Sequence, residues 1–194
     1  MAKHFTQSGE TSIGALVSDN TPRHVRADTS THTIQIIDYA HHEIHAGSHF
    51  MYTDSVSLDS AGTQDYLIVT PNTTTWAHML FDMDASAIAM FQLYEDSTHT
   101  STDAQTAGNN NRNSTDTATV TIYKGSSTDT ADGTLIHTYK GGSATNQSKG
   151  AASARNDSEI ILKQNSTYTL RYTSYANSNL CNLRLEWYEH ADRT

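Results

Sequence analysis

Gln35–Thr70 reads QIIDYAHHEIHAGSHFMYTDSVSLDSAGTQDYLIVT. It opens on an apolar run, Ile34–Ile37, and closes on another, Tyr66–Val69. Between them the side chains sort by twos: Ala40, Ile44, Ala46 and Phe50 on even positions, His41, Glu43, His45 and His49 on odd ones. A strand sends successive side chains to opposite faces, so this spacing predicts a ribbon with one apolar and one histidine-rich face. Helical spacing is the rival, since His41, His45 and His49 also recur every four residues. Strand is preferred because Gly47-Ser48 would weaken a helix and the flanks are rich in β-branched and aromatic residues.

The pattern continues downstream. Predicted strands cover Thr33–Asp38, Glu43–Leu58, Asp65–Thr70, Thr75–Met83, Ala87–Glu95, Thr117–Lys124, Thr134–Lys140, Ser158–Lys163, Tyr168–Tyr175 and Asn179–Glu189. In Thr75–Met83, Ala77, Met79, Phe81 and Met83 form a core face, and Trp76, His78, Leu80 and Asp82 point the other way. In the last strand Cys181, Leu183, Leu185 and Trp187 share the core side. Ala87–Glu95 is apolar on both faces, which places it centrally or under a partner. Asp82–Ser86 is expected to turn the chain. Asp96–Asp116 and Gly141–Asp157 read as long polar loops, of a length that tends to carry function or flexibility. Turn signals between many short strands predict an all-β, antiparallel β-sandwich of jelly-roll or Greek-key type. Residues 1–32, polar and weakly patterned, read as an extended N-terminal arm with one short strand near Ile13–Val17; residues 33–194 form the sandwich.

Composition narrows the function. The net charge is -9 with histidine neutral, and lysine and arginine do not cluster. Phosphate backbones need clustered cations, so nucleic acid is not an expected partner. No apolar run approaches a membrane span, and the first twenty residues lack the apolar stretch of a signal peptide. Synthesis in a cytoplasm is the expectation. The single cysteine, Cys181, excludes an intrachain disulfide and reads as a buried thiol.

The only metal-ligand candidates are His41, Glu43 and His45, which could converge from one strand face. The zinc-protease pattern fails, because His42 stands where its glutamate is required. A histidine cluster packed at an interface would also respond to pH near neutrality. Asp82–Ser86 opens like a calcium loop, but Leu93 occupies the place of the closing glutamate. No nucleophile elbow, P-loop or dinucleotide fingerprint appears. No catalytic residue and no cofactor is assigned, and the expectation is a protein that is not an enzyme. Trp76 shares its face with His78 and Leu80, so partial exposure is expected, and it could stack on a sugar or anchor an interface.

The segments His45–Asp54, Gln64–Ile68, Trp76–Met79, Asn109–Ser114 and Arg184–His190 resemble a family of small virion proteins of tailed double-stranded DNA bacteriophages. The likeness runs from about Ile36 to the C-terminus. It implies a capsid decoration, or cement, protein on the head surface. The implied partners are the major capsid protein and further copies of the chain, with a homotrimer favoured and residues 1–32 as the anchoring arm. The alternative is a head- or tail-associated receptor- or carbohydrate-binding protein. The family offers no catalytic motif.

Overall fold

The computed structural model describes residues 4–7, 10–16, 22–24, 39–127, 130–142 and 159–191. The chain divides into two compact units, Met1–His41 and His42–Thr194. In the first, β1 (His4–Gln7), β2 (Glu10–Leu16) and β3 (Pro22–His24) pair antiparallel in that order. These residues form a three-stranded meander, where the sequence suggests one short strand near Ile13–Val17. The strand expected at Thr33–Asp38 lies outside the described residues.

The first correction falls on the opening stretch. Tyr39–Ala46 is a helix, α1, where the spacing argument prefers strand. The reason is local. Gly47 sits just past the helix end at φ 80°. Its amide donates to the Ile44 carbonyl (3.1 Å), and the Ser48 amide donates to Glu43 O (3.1 Å). These two bonds make the Schellman closure, in which glycine is the favoured residue. The glycine taken as a weakness inside a helix is the residue that ends one.

Eight strands build the sandwich: β4 (His49–Leu58), β5 (Thr63–Thr70), β6 (Thr75–Ala85), β7 (Ala89–Glu95), β11 (Thr134–Gly141), β12 (Ile160–Ile161), β13 (Ser166–Ser174) and β14 (Asn179–Ala191). Between β7 and β11 the chain inserts β8 (Ala104–Gln105), β9 (Gly108–Asn109) and β10 (Thr121–Lys124). One sheet runs β11-β7-β13-β5-β10-β8 and the other β12-β6-β14-β4-β9. Of the eight, the first lies beside the last (β4 with β14) and the second beside the seventh (β5 with β13). The third lies beside the sixth (β6 with β12) and the fourth beside the fifth (β7 with β11). A long antiparallel hairpin rolled up on itself gives this nesting, so the fold is a jelly roll. The stretch expected as one loop, Asp96–Asp116, instead contributes β8 and β9 to the edges of opposite sheets.

Between the sheets the core follows the period of two. Phe50 packs on Trp187 with ring centroids 5.9 Å apart. Tyr52, Tyr66, Tyr172 and Phe91 form a chain of edge-on rings across the sandwich. Buried phenols need partners: Tyr172 donates to Asn182 O (2.6 Å) and Tyr66 to Asp54 Oδ2 (2.7 Å). Each fully buried ring or aliphatic side chain of this set contributes about 1.5–3 kcal/mol relative to exposure. Asp82–Ala85, expected as a turn, continues β6; the chain turns after it, where Asn179 Oδ1 accepts from the Ala87 amide (2.8 Å). The loop expected at Gly141–Asp157 lies almost entirely outside the described residues.

Candidate functional site

On α1 the three expected metal ligands separate. His41 and His45, four apart, are exposed, whereas Glu43 is buried. Two residues on a helix differ by about 200° in direction, against zero on a strand. Glu43 accepts from the Ser48 hydroxyl and lies 3.3 Å from His42 Nδ1. Among the described residues, no group of three or more His, Cys, Asp or Glu side chains is arranged to hold a metal ion.

The imidazoles that do meet lie elsewhere, on the outer face of the five-stranded sheet. Cross-strand pairing sets His78, Tyr188 and His49 in one row, with Trp76 and His190 in the next. The rings stack: His78 on Tyr188 at 4.7 Å between centroids, Tyr188 on His190 at 5.5 Å, and His49 on Tyr188 at 6.3 Å. Glu159, one residue before β12, accepts from the Tyr188 hydroxyl (2.8 Å) and meets His78 Nδ1. His49 is buried, with Nδ1 facing the Asn110 side-chain amide at 2.7 Å. Burial lowers the His49 pKa from its ordinary value, opposed by the charges of Glu186 and Glu43.

At the end of this column lies an apolar cavity of about 360 Å³ lined by Trp76, Ile161, Leu162, Lys163 and Gln164. Trp76 is 38% exposed and Ile161 50%. Trp76 thus stands where the alternation in Thr75–Met83 puts it.

A polar cavity of about 550 Å³ lies over the outer face of the six-stranded sheet, lined in part by Asp65, His99, Thr130, Asp132 and Arg171. Arg171 makes a fork with Asp65 (Nε–Oδ1 2.7 Å, Nη2–Oδ2 2.8 Å) and also reaches Asp132 (3.0 Å). His99 is buried between Asp132 Oδ1 on Nε2 (2.7 Å) and the Ser127 carbonyl on Nδ1 (2.6 Å), with Thr130 Oγ1 also 2.7 Å from Nδ1. The grouping of hydroxyl, imidazole and carboxylate resembles a catalytic triad on paper. The hydrogen bonds point the other way. The Ser127 carbonyl can only accept, so the nitrogen that Thr130 Oγ1 also faces carries a hydrogen directed at the backbone and is not placed to take the threonine proton. The Asp132 carboxyl is held below its usual range, chiefly by the His99 hydrogen bond, with Arg171 adding to it against the effect of burial. This network clamps the inserted segment to the sheet.

Reading the sequence alone finds neither cluster. His78 and His190 are 112 positions apart. The usable signal was their shared outward parity on two strands, and it becomes a site only once those strands pair. The class that the fold defines is the jelly-roll β-sandwich. No family model, no curated protein and no solved structure matches the chain.

Proposed function

We propose that this chain is a non-catalytic surface module of a tailed-phage virion, a decoration protein that binds the outside of the head and bridges capsid subunits. The observation that carries the reading is the exposed apolar cavity of Trp76 and Ile161 at the edge of the five-stranded sheet. Large exposed aromatic and aliphatic side chains beside polar neighbours are the usual anchors of protein interfaces. The resemblance of Trp76–Met79 and Arg184–His190 to phage virion proteins points to a shell as the partner. The titratable groups gathered over the six-stranded sheet are engaged in structural ion pairs, which favours adhesion over turnover. Many symmetric copies would multiply a modest contact into stable coating.

The test is reconstitution. Purified protein added to heads lacking it should bind in hundreds of copies, and Trp76→Ser with Ile161→Ser should lower occupancy at least tenfold while the melting temperature holds. Deleting residues 1–32 should likewise abolish binding while the sandwich folds. Full occupancy by both variants would refute the reading.

One feature favours a second reading. Trp76 and Gln164 line the same cavity, the Gln164 amide donating to the Thr73 and Thr75 carbonyls, and a flat exposed ring also suits stacking on a sugar. Binding on a glycan array, lost in Trp76→Ser, would favour a receptor-binding role.

A further inference from the structure

We propose that β11 is an interface between two copies of this chain, paired edge to edge about a two-fold axis so that their six-stranded sheets join into one. The contact is separate from the Trp76 cavity and does not depend on a shell as partner. Among the described residues the two sheets have four outer edges, and three of them, β8, β9 and β12, are strands of two residues. Very short edge strands are a common device against unwanted pairing. The fourth edge is β11, eight residues long and bonded to β7 on one side only. It holds no proline and no acidic residue. Three of the seven exposed large apolar side chains among the described residues, Leu135, Ile136 and Tyr139, lie on it. Lysine commonly guards such an edge, but Lys140 leans back over its own sheet. Its Nζ lies 4.3 Å from the centroid of the Tyr175 ring, just past the end of β13 and two strands in. Unpaired backbone groups beside exposed apolar side chains are a template for a further strand.

A second copy is the occupant that the strand's own sequence fits. A two-fold axis perpendicular to the sheet sets the copies antiparallel and keeps each face continuous, so residues of the same face must meet. The bulge between Leu135 and His137 interrupts the alternation, and the strand is regular from His137 onward. There His137 and Tyr139 lie opposite Leu93 and Phe91, on the core side, while Thr138 and Lys140 point outward. An axis on His137 would press two imidazoles together. An axis on Tyr139 would leave Ile136 facing Gly142, past the end of the strand. An axis on Thr138 sets Thr138 opposite itself, His137 opposite Tyr139 of the second copy, and Ile136 opposite Lys140. Aromatic and Thr–Thr cross-strand pairs are favourable, and the Lys140 stem covers apolar surface at Ile136. No charge faces its like. The chain's net charge of -9 opposes self-association, but on β11 the only formal charge is Lys140, so repulsion is least at this edge.

Sedimentation of the full chain should give twice the mass of one chain. Ile136→Lys sets two ammonium groups opposite each other and should raise the dimer dissociation constant at least tenfold. Ile136→Glu should keep the dimer, and Ile136→Lys combined with Lys140→Glu should restore it. Leu180→Lys, at an exposed apolar residue of the other sheet, should leave pairing unchanged. The register is read by cross-linking. Thr138→Cys puts two thiols on the axis, where directly opposite Cα atoms are about 4.5–5.5 Å apart, within disulfide reach. Mild oxidation should then link the dimer. Lys140→Cys, whose two copies would stand about 14 Å apart, should not link, and Cys181 is buried and does not compete. Unchanged melting temperatures in dilute solution separate lost pairing from lost folding. A monomer up to the limit of solubility would overturn the proposal. A trimer would do the same, because a strand paired with its own copy closes at two. So would a dimer that survives Ile136→Lys, or one that links through Lys140→Cys and not through Thr138→Cys.

Discussion

Asn110 donates its side-chain amide to Nδ1 of His49 across 2.7 Å. The bond holds the buried imidazole neutral, with its hydrogen on Nε2. Asn110 Oδ1 has no hydrogen-bond partner among the described residues, so turning the amide over would offer an acceptor to a protonated ring. The cost of protonating His49 is therefore its burial more than the hydrogen bond. The His49 pKa is lowered in the folded state by that burial. The unfolded chain takes up the proton near pH 6.5, so this stabilisation is complete above about 6.5 and declines as the pH falls below it. Melting temperature should fall between pH 7.5 and 5.5, and His49→Gln should flatten that part of the profile. An unchanged slope in the variant would assign the effect to other groups.

Gly47 and Gly125 separate two costs of adding a methyl group. Both have φ near 80° (80° and 79°). A Cβ on Gly47 would meet Ser114 Oγ at 2.5 Å and Asp116 Oδ2 at 2.9 Å, whereas one on Gly125 meets nothing within 4 Å. Gly125→Ala should cost about 1 kcal/mol from backbone strain alone. Gly47→Ala adds crowding and a weakened Schellman closure, and should cost about 2–3 kcal/mol. Urea unfolding of the two variants gives the comparison; equal midpoints would mean that Ser114 and Asp116 move aside freely.

Arg171 is the hinge pin of the network over the six-stranded sheet. Replacing it with Met leaves Asp65, buried to 8% exposure, without its fork. The expected loss is about 3 kcal/mol, the usual result of removing one partner from a buried pair. Arg171→Lys should recover only part of it, because an ammonium cannot make the two-pronged contact. Acid acts on the same network: Asp132, lowered chiefly by His99, contributes stability above its unfolded pKa that is lost as the pH falls through the folded one, below about pH 4. If Arg171→Met unfolded at the wild-type urea concentration, the clamp would be dispensable.

Cys181 lies at 1% exposure, and burial pushes its thiol up to about 11. The thiolate is the reactive species, so the native protein should resist disulfide-exchange reagents at pH 8 and react fully in denaturant. Rapid labelling of the folded chain would show that β14 opens at that point.

The amino-acid order alone determined which faces are buried. Alternation in Thr75–Met83 and Asn179–Glu189 selects Met79, Phe81, Leu185 and Trp187 for the core and turns Trp76 and His78 outward, and the structure agrees at each. That is legible because a period of two is local, and burial of one face fixes it. The same rule misread Tyr39–Ala46, where side-chain order fits both periods and the φ of Gly47 decides between them. Only the tertiary structure decided the nesting of β4 with β14 and of β6 with β12, and the crossing of the inserted segment from one sheet to the other. It also brought His78 against His190 and Arg171 against Asp65, pairs 112 and 106 residues apart. Contacts across such separations arise from strand pairing between distant segments, which no short window of the chain encodes.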